Sequence, residues 1–221
     1  MSQPIMTAPL AGCVTIDSKS PDGYLGNARA GNPTAGSNDR TQTAVESLLA
    51  MAGAAPTTAS LVGHGSEGDI DTGMALGQSI NLANQATWAP LLQRLRGKFT
   101  GIYLYGATVG GGFDGAQLLY AIAQATDTPV YGPTGILYCD VRGNFVLETG
   151  AVWQMATPDR LPTPINPPTL SGSSSRGGAR TQAGQAMDVT AAQTQATQTA
   201  QRAWDPPLQP LGEPGGKVTA V

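Results

Sequence analysis

The chain of 221 residues contains a single histidine, His64, within Ser60-Leu-Val-Gly-His64-Gly-Ser-Glu-Gly68. An apolar run from Ala59 to Val62 leads directly into Gly63-His64-Gly65. That pattern reads as a buried strand ending in a tight turn that carries an imidazole, the side chain best suited to moving protons near neutral pH. A lone histidine is more often structural, so its chemistry depends on what a second element brings to it. A second strand-like run, Phe99 to Tyr105, leads into Gly106-Ala107-Thr108-Val109-Gly110-Gly111-Gly112. In an open sheet of parallel strands, ligands bind beyond the carboxyl ends of the strands.

Such a pair of glycine-flanked ends suits nucleophilic catalysis. It needs a nucleophile on one loop, a base on its neighbour, and two backbone amides facing the developing oxyanion. His64 supplies the base, and Gly65 and residue 107 supply the amides. The nucleophile belongs at position 107, where the chain has alanine. The hydroxyl of Thr108, one residue along, points away from such a site. Cys139, in a hairpin strand, and Cys13, in mid-strand, read as buried structural thiols. Asp17, at a strand end, and Asp69 and Asp71, in an acidic loop, read on their own as solvated carboxylates. The spacing of Asp69 and Asp71 matches half of a calcium loop and lacks its remaining ligands. No metal or cofactor is expected. Gly110-Gly111-Gly112 at a helix start could take a phosphate. Its spacing fits neither a dinucleotide fingerprint nor a P-loop with its lysine.

The elements that must position these residues follow from periodicity. Leu10 to Asp17 reads as a first strand, and Ser18 to Asn38, rich in Gly, Pro, Asn and Ser, as a long loop. A helix is predicted over residues 39–53, with Val45, Leu48, Leu49 and Ala52 on one face and Thr43 and Glu46 at capping-box spacing. After the His64 strand come an acidic loop over 67–73 and a short edge element at 79–82. A second helix starts at Thr87, with Trp88, Leu91, Leu92 and Leu95 apolar and Pro90 tolerated in its first turn. The third strand is Phe99–Tyr105, and a third helix spans 114–126 with Asp114 and Gln117 at its start. Pro129 to Tyr131 forms a fourth strand. Residues 136–140 and 145–148 form a β-hairpin, and 151–155 a further strand. Alternation of strand and helix over 10–131 implies an α/β fold, a mainly parallel sheet flanked by helices with a C-terminal β-hairpin addition.

On these elements Gly63-His64-Gly65-Ser66 and Tyr105-Gly106-Ala107-Thr108-Val109 resemble the paired motifs of caspase-like cysteine peptidases. That group includes caspases, metacaspases, gingipains, separase and the CHAT proteases. The closer likeness is to bacterial caspase-like domains with Ser-His-Gly-Ser and Tyr-Gly-Cys-x-Val motifs, and it spans roughly residues 10–160. The resemblance implies a three-layer sandwich and a His–Cys dyad, with His64 as base, Gly65 as an oxyanion-hole amide and position 107 as nucleophile. The departure is Ala107, which cannot attack a carbonyl. Two explanations stand: an engineered exchange of Cys for Ala, or a natural pseudoenzyme that keeps the cleft for binding. The expected partner is a polypeptide, as substrate or as bound protein; peptidases of this type that cut after Arg or Lys need a carboxylate in the pocket, for which Asp17, Asp69 and Asp71 are the candidates by location.

Composition narrows the remaining classes. The net charge of −3 argues against a broad nucleic-acid surface, and no apolar run approaches a membrane span. The start shows no secretion signal, so a cytoplasmic location is expected. Two cysteines, one disulfide at most, exclude a disulfide-scaffolded secreted domain. Residues 1–160 are predicted to fold as one domain. Residues 161–221 read as a tail, first Pro/Gly/Ser-rich and then Ala/Gln/Thr-rich, with too few large apolar residues to form a core. Arg176 and Arg180 in that tail are candidate self-processing sites.

Overall fold

Strict alternation along three neighbouring strands decides the architecture. Cys13, Ala59, Leu61, Ile102 and Leu104 belong to one buried cluster, whereas Val14, Ile16, Val62 and Tyr105 belong to another. Successive side chains of a strand point to opposite faces, so this sheet is covered on both. The computed structural model describes residues 5–6, 10, 12–18, 22–55, 57–73 and 78–168. In chain order these form β1 (Ile5–Met6), β2 (Cys13–Asp17), α1 (Gly23–Gly31), β3 (Gly36–Asn38), α2 (Thr41–Met51) and β4 (Thr57–Val62). Next come β5 (Gly65–Ser66), β6 (Asp69–Asp71), β7 (Ser79–Asn81), α3 (Gln85–Leu92), β8 (Phe99–Tyr105) and α4 (Gly112–Thr126). The last four are β9 (Val130–Pro133), β10 (Leu137–Cys139), β11 (Phe145–Leu147) and β12 (Trp153–Ala156).

The fold is mixed α/β, with a mainly parallel central sheet flanked by helices. Its six strands run in the order β12-β9-β8-β4-β2-β3, parallel except for β12 at one edge. On one face lie Val45 and Leu48 of α2, Trp88 and Leu92 of α3, and Leu118, Leu119 and Ile122 of α4. On the other lie Tyr24, Leu25 and Ala28 of α1, with Leu137, Phe145 and Leu147 of the small antiparallel sheet β1-β11-β10. Among the described residues no helix is long and apolar enough to cross a membrane.

Several expectations change. Ser18–Asn38 is not one long loop, because its described residues contain α1 and β3. The nine-residue α1 buries only Tyr24, Leu25 and Ala28 and begins at a glycine, so its periodicity is faint. The β3 edge, Gly36-Ser37-Asn38, has no apolar residue and is held by polar bonds. Thr15 Oγ1 donates to Asn38 Oδ1 at 2.8 Å, and Asn38 Nδ2 donates to the Thr72 carbonyl at 3.0 Å. The acidic stretch 67–73 is not simply a loop: the Glu67–Gly68 turn joins β5 to β6, and β6 pairs antiparallel with β7 on its other side. Helix α3 starts at Gln85, not Thr87, because Asn81 and Asn84 cap each other around a short turn, at 3.1 Å in each direction. Pro90 therefore lies inside α3 instead of in its first turn. The 136–148 hairpin joins β1 in a separate sheet, and β12 supplies the antiparallel edge of the central one. The described chain also continues past residue 160. Ile165 accepts from the Gly112 N–H at 2.8 Å and donates to Gln154 Oε1 at 3.2 Å, which straps 161–168 across the start of α4. The expectations for residues 169–221, including Arg176 and Arg180, lie outside the described residues.

Candidate active site

The two glycine turns lie side by side because their strands do. In the β4–β8 register Val62 faces Tyr105, and the Gly63 N–H donates to the Tyr105 carbonyl at 3.2 Å. His64–Gly65 and Gly106–Ala107 therefore leave the sheet together at its carboxyl end. A Cβ built on Gly65 would lie 3.1 Å from the Ala107 carbonyl oxygen, and one on Gly106 would lie 3.3 Å from the Gly65 Cα. A side chain on either glycine would need the facing turn to give way by a few tenths of an ångström. The Asp71 N–H donates to the His64 carbonyl at 2.8 Å, so Gly65 and Ile70 form the next, non-hydrogen-bonded pair of that ladder. The Gly65 N–H consequently points away from β6, as an oxyanion donor requires.

A third residue completes the arrangement, and the sequence reading missed it. The His64 Nε2 meets Oδ2 of Asp22, the N-cap of α1. The other carboxylate oxygen of Asp22 accepts the Leu25 N–H at 2.9 Å. Tyr24, two residues on, packs its ring with a centroid 5.7 Å from that of His64 and donates its hydroxyl to the Tyr105 carbonyl at 2.8 Å. Burial pushes the Tyr24 phenol well above its ordinary range. The start of α1 thus frames the imidazole on the β8 side. The His64 side chain keeps 22 % exposure and that of Asp22 keeps 42 %, so solvent reaches the pair. The available signal was Asp22-Gly-Tyr24-Leu25, an N-cap residue just ahead of apolar side chains.

The turn that carries Ala107 is fixed on several sides. Thr108 has φ 55°, a left-handed conformation rare for a β-branched residue. Its N–H donates to the Gly135 carbonyl at 2.8 Å and its hydroxyl to the Ala107 carbonyl at 2.8 Å. The Gly110 N–H donates to the Pro133 carbonyl at 2.9 Å. Behind this turn the buried Glu148 accepts the Ile136 N–H at 2.6 Å, holding the 134–136 bend. Burial raises the Glu148 carboxyl above its usual value, and the bond from Ile136 offsets part of that.

The other expected residues are placed less favourably. Asp17, expected to face a substrate, is fully buried at the end of β2, with the Arg29 guanidinium donating to its backbone carbonyl. Asp69 accepts from Asn81 Nδ2 at 2.7 Å and from Ser79 Oγ at 3.1 Å, which ties its carboxylate to β7. Asp71 lies partly buried in β6, its backbone bonded to His64. Cys13 and Cys139 are buried free thiols, as expected. Burial, and secondarily Asp140, pushes the Cys139 thiol up to about 12, which makes it a poor nucleophile. Among the described residues no group of three or more His, Cys, Asp or Glu side chains could hold a metal ion. Glu67 sits at the start of α4, near Gly112, where a carboxylate complements the helix dipole.

A family model described as Domain of unknown function (DUF4347) matches residues 35–154, a range that contains both His64 and Ala107. No curated protein and no solved structure matches the chain.

Proposed function

The chain belongs to the family described as Domain of unknown function (DUF4347), and we propose that its cleft is that of a caspase-like cysteine endopeptidase, silent as written because alanine occupies the nucleophile position. In this state it holds a polypeptide segment without cutting it. The observation that carries the reading is the close approach of His64–Gly65 to Gly106–Ala107 beyond adjacent parallel strands, so tight that a Cβ built on Gly65 would lie 3.1 Å from the Ala107 oxygen. In this reading His64 is the base, the Gly65 N–H an oxyanion donor, and position 107 the nucleophile's place, all at one sheet end. Two buried free thiols suit a reducing, cytoplasmic setting.

A cysteine at 107 would complete the chemistry. His64 takes the thiol proton, and the sulfur attacks the peptide carbonyl carbon while the amides of Gly65 and residue 107 receive the oxyanion. The C–N bond then breaks, His64 passes the proton to the leaving amine, and water hydrolyses the thioester to release acid and restore the thiol. The first substrate within reach is the chain's own tail. Pro167 lies against Gly111, four residues beyond Ala107, so the described chain runs beside the cleft at that point.

The test is Ala107→Cys against Ala107→Cys/His64→Ala, with labelled casein as added substrate and intact mass for the tail. Cleavage by the first and not the second supports the reading. Equal cleavage by both, or none by either, sinks it. Ala107 itself favours a second reading, a non-catalytic module that recruits a partner protein through the same cleft. Casein retention by the unaltered chain, together with an inert Ala107→Cys variant, would select that one.

A further inference from the structure

We infer that Asp22 is the positioning residue for His64: it holds the imidazole in the tautomer protonated on Nε2, leaving Nδ1 as the ring nitrogen that can take a proton from a group at position 107. Its catalytic consequence rests on the peptidase reading above; the tautomer does not. An ionised carboxylate only accepts hydrogen bonds, so the Nε2 facing Asp22 Oδ2 must carry the hydrogen. Asp22 cannot swing away freely, because its Oδ1 caps α1 through the Leu25 N–H at 2.9 Å. Tyr24 does not compete for the ring nitrogens, since its hydroxyl is bonded to the Tyr105 carbonyl at 2.8 Å. One carboxylate therefore does two jobs: it starts the helix with one oxygen and sets the imidazole with the other. When the ring accepts a proton on Nδ1, the same carboxylate faces the resulting cation. Asp22 lies outside residues 35–154, so this part of the site comes from the segment ahead of the family match.

Asparagine separates the two jobs. It caps helices as well as aspartate does, so Asp22→Asn keeps the Leu25 bond and presents an N–H donor to His64 Nε2. The ring must then carry its hydrogen on Nδ1. The chain has one histidine, so long-range proton–nitrogen NMR of the full protein reads one pair of ring nitrogens. The unaltered chain is expected to show a protonated Nε2 and a bare Nδ1 in its neutral ring, and Asp22→Asn the reverse. Unchanged ring nitrogens in Asp22→Asn overturn the assignment. Should that variant not fold, Asp22→Ser serves, as a capping residue too short to reach His64; it is expected to give a mixture of tautomers, and an unmixed Nε2–H ring overturns the assignment. In the Ala107→Cys background Asp22→Asn is expected to lower kcat about 10²–10⁴-fold, the scale of a wrong-tautomer defect, with KM within about twofold and partial recovery in Asp22→Glu. Equal kcat overturns the assignment. Inertness of Ala107→Cys itself sinks the peptidase reading, and the tautomer result then decides on Asp22 alone.

Discussion

The Tyr24 hydroxyl donates to the Tyr105 carbonyl at 2.8 Å, joining the first turn of α1 to the last residue of β8. The same carbonyl accepts the Gly63 N–H at 3.2 Å. Three chain segments that frame the cleft, the starts of α1, the His64 turn and the Ala107 turn, therefore meet at one oxygen. Tyr24 is 2 % exposed and its ring also packs edge-on against Phe145, with centroids 5.8 Å apart.

Tyr24→Phe is expected to cost about 1 kcal/mol, the net worth of one buried hydrogen bond, because Gly63 still satisfies the carbonyl. That corresponds to a fall in Tm of about 2–4 °C for a domain of this size. Calorimetry checks it. Tyr24→Ala also removes the ring against Phe145 and His64, and should cost about 3–5 kcal/mol. If Tyr24→Phe costs as much as Tyr24→Ala, the hydroxyl and not the ring dominates this junction.

The central sheet and its main helices were legible because each carries a clear period. Ala59–Val62 and Ile102–Tyr105 read as strands, and Val45 with Leu48 marked the inward face of α2. Position along the strands also placed His64 and Ala107 at neighbouring ends. What the sequence hid was polar. Asp22 caps a short helix whose glycines mask its apolar face. Asn38 and Thr72 pin segments that contain almost nothing apolar. Asp17 looked like a strand-end carboxylate open to a ligand, but α1 and its Arg29 cover it. Such contacts join residues far apart in sequence, and no local period announces them.

Glu148 carries a pH prediction. Burial raises its carboxyl, so the folded state favours the protonated form. The sign follows: its contribution is fully present below the unfolded carboxyl pKa of about 4.3 and is lost as pH rises through the higher folded value. Asp39 has the opposite sign. Its carboxyl is held down to about 2, first by the Arg40 side-chain hydrogen bond and then by that from Thr43, so its contribution fades in acid. Glu148→Gln keeps the acceptor for the Ile136 N–H and removes the charge. It should match or exceed the unaltered chain in urea midpoint at pH 8 and lose that advantage by pH 4. A midpoint lower at pH 8 than at pH 4, relative to the unaltered chain, contradicts this.

Thr108 holds the left-handed position of the Ala107 turn, where asparagine is far better tolerated. Thr108→Asn is expected to stabilise the protein by about 0.5–1 kcal/mol in urea unfolding, net of the lost bond to the Ala107 carbonyl. Thr108→Val keeps the branched shape without the hydroxyl and should destabilise it. A less stable Thr108→Asn would show that the hydroxyl bond outweighs the backbone strain.

The strap over α4 is held at Ile165 by two hydrogen bonds, one to each side of the residue. Ile165 donates to Gln154 Oε1 at 3.2 Å, whereas Gln154 Nε2 is buried without a partner among the described residues. Gln154→Leu thus removes one of the two hydrogen bonds on Ile165 together with an unsatisfied group, while the Gly112 N–H still donates to the Ile165 carbonyl at 2.8 Å. Fold stability should change by less than about 1 kcal/mol. The strap stays attached through Gly112, so tail release in the Ala107→Cys background should keep its rate. Cleavage of added casein should not change, because the His64, Gly65 and residue 107 geometry is untouched. Time courses of intact mass and casein fragments, read on the same samples, separate the two rates. Equal slowing of both would mean that Gln154 acts on the cleft itself and not on the delivery of the tail.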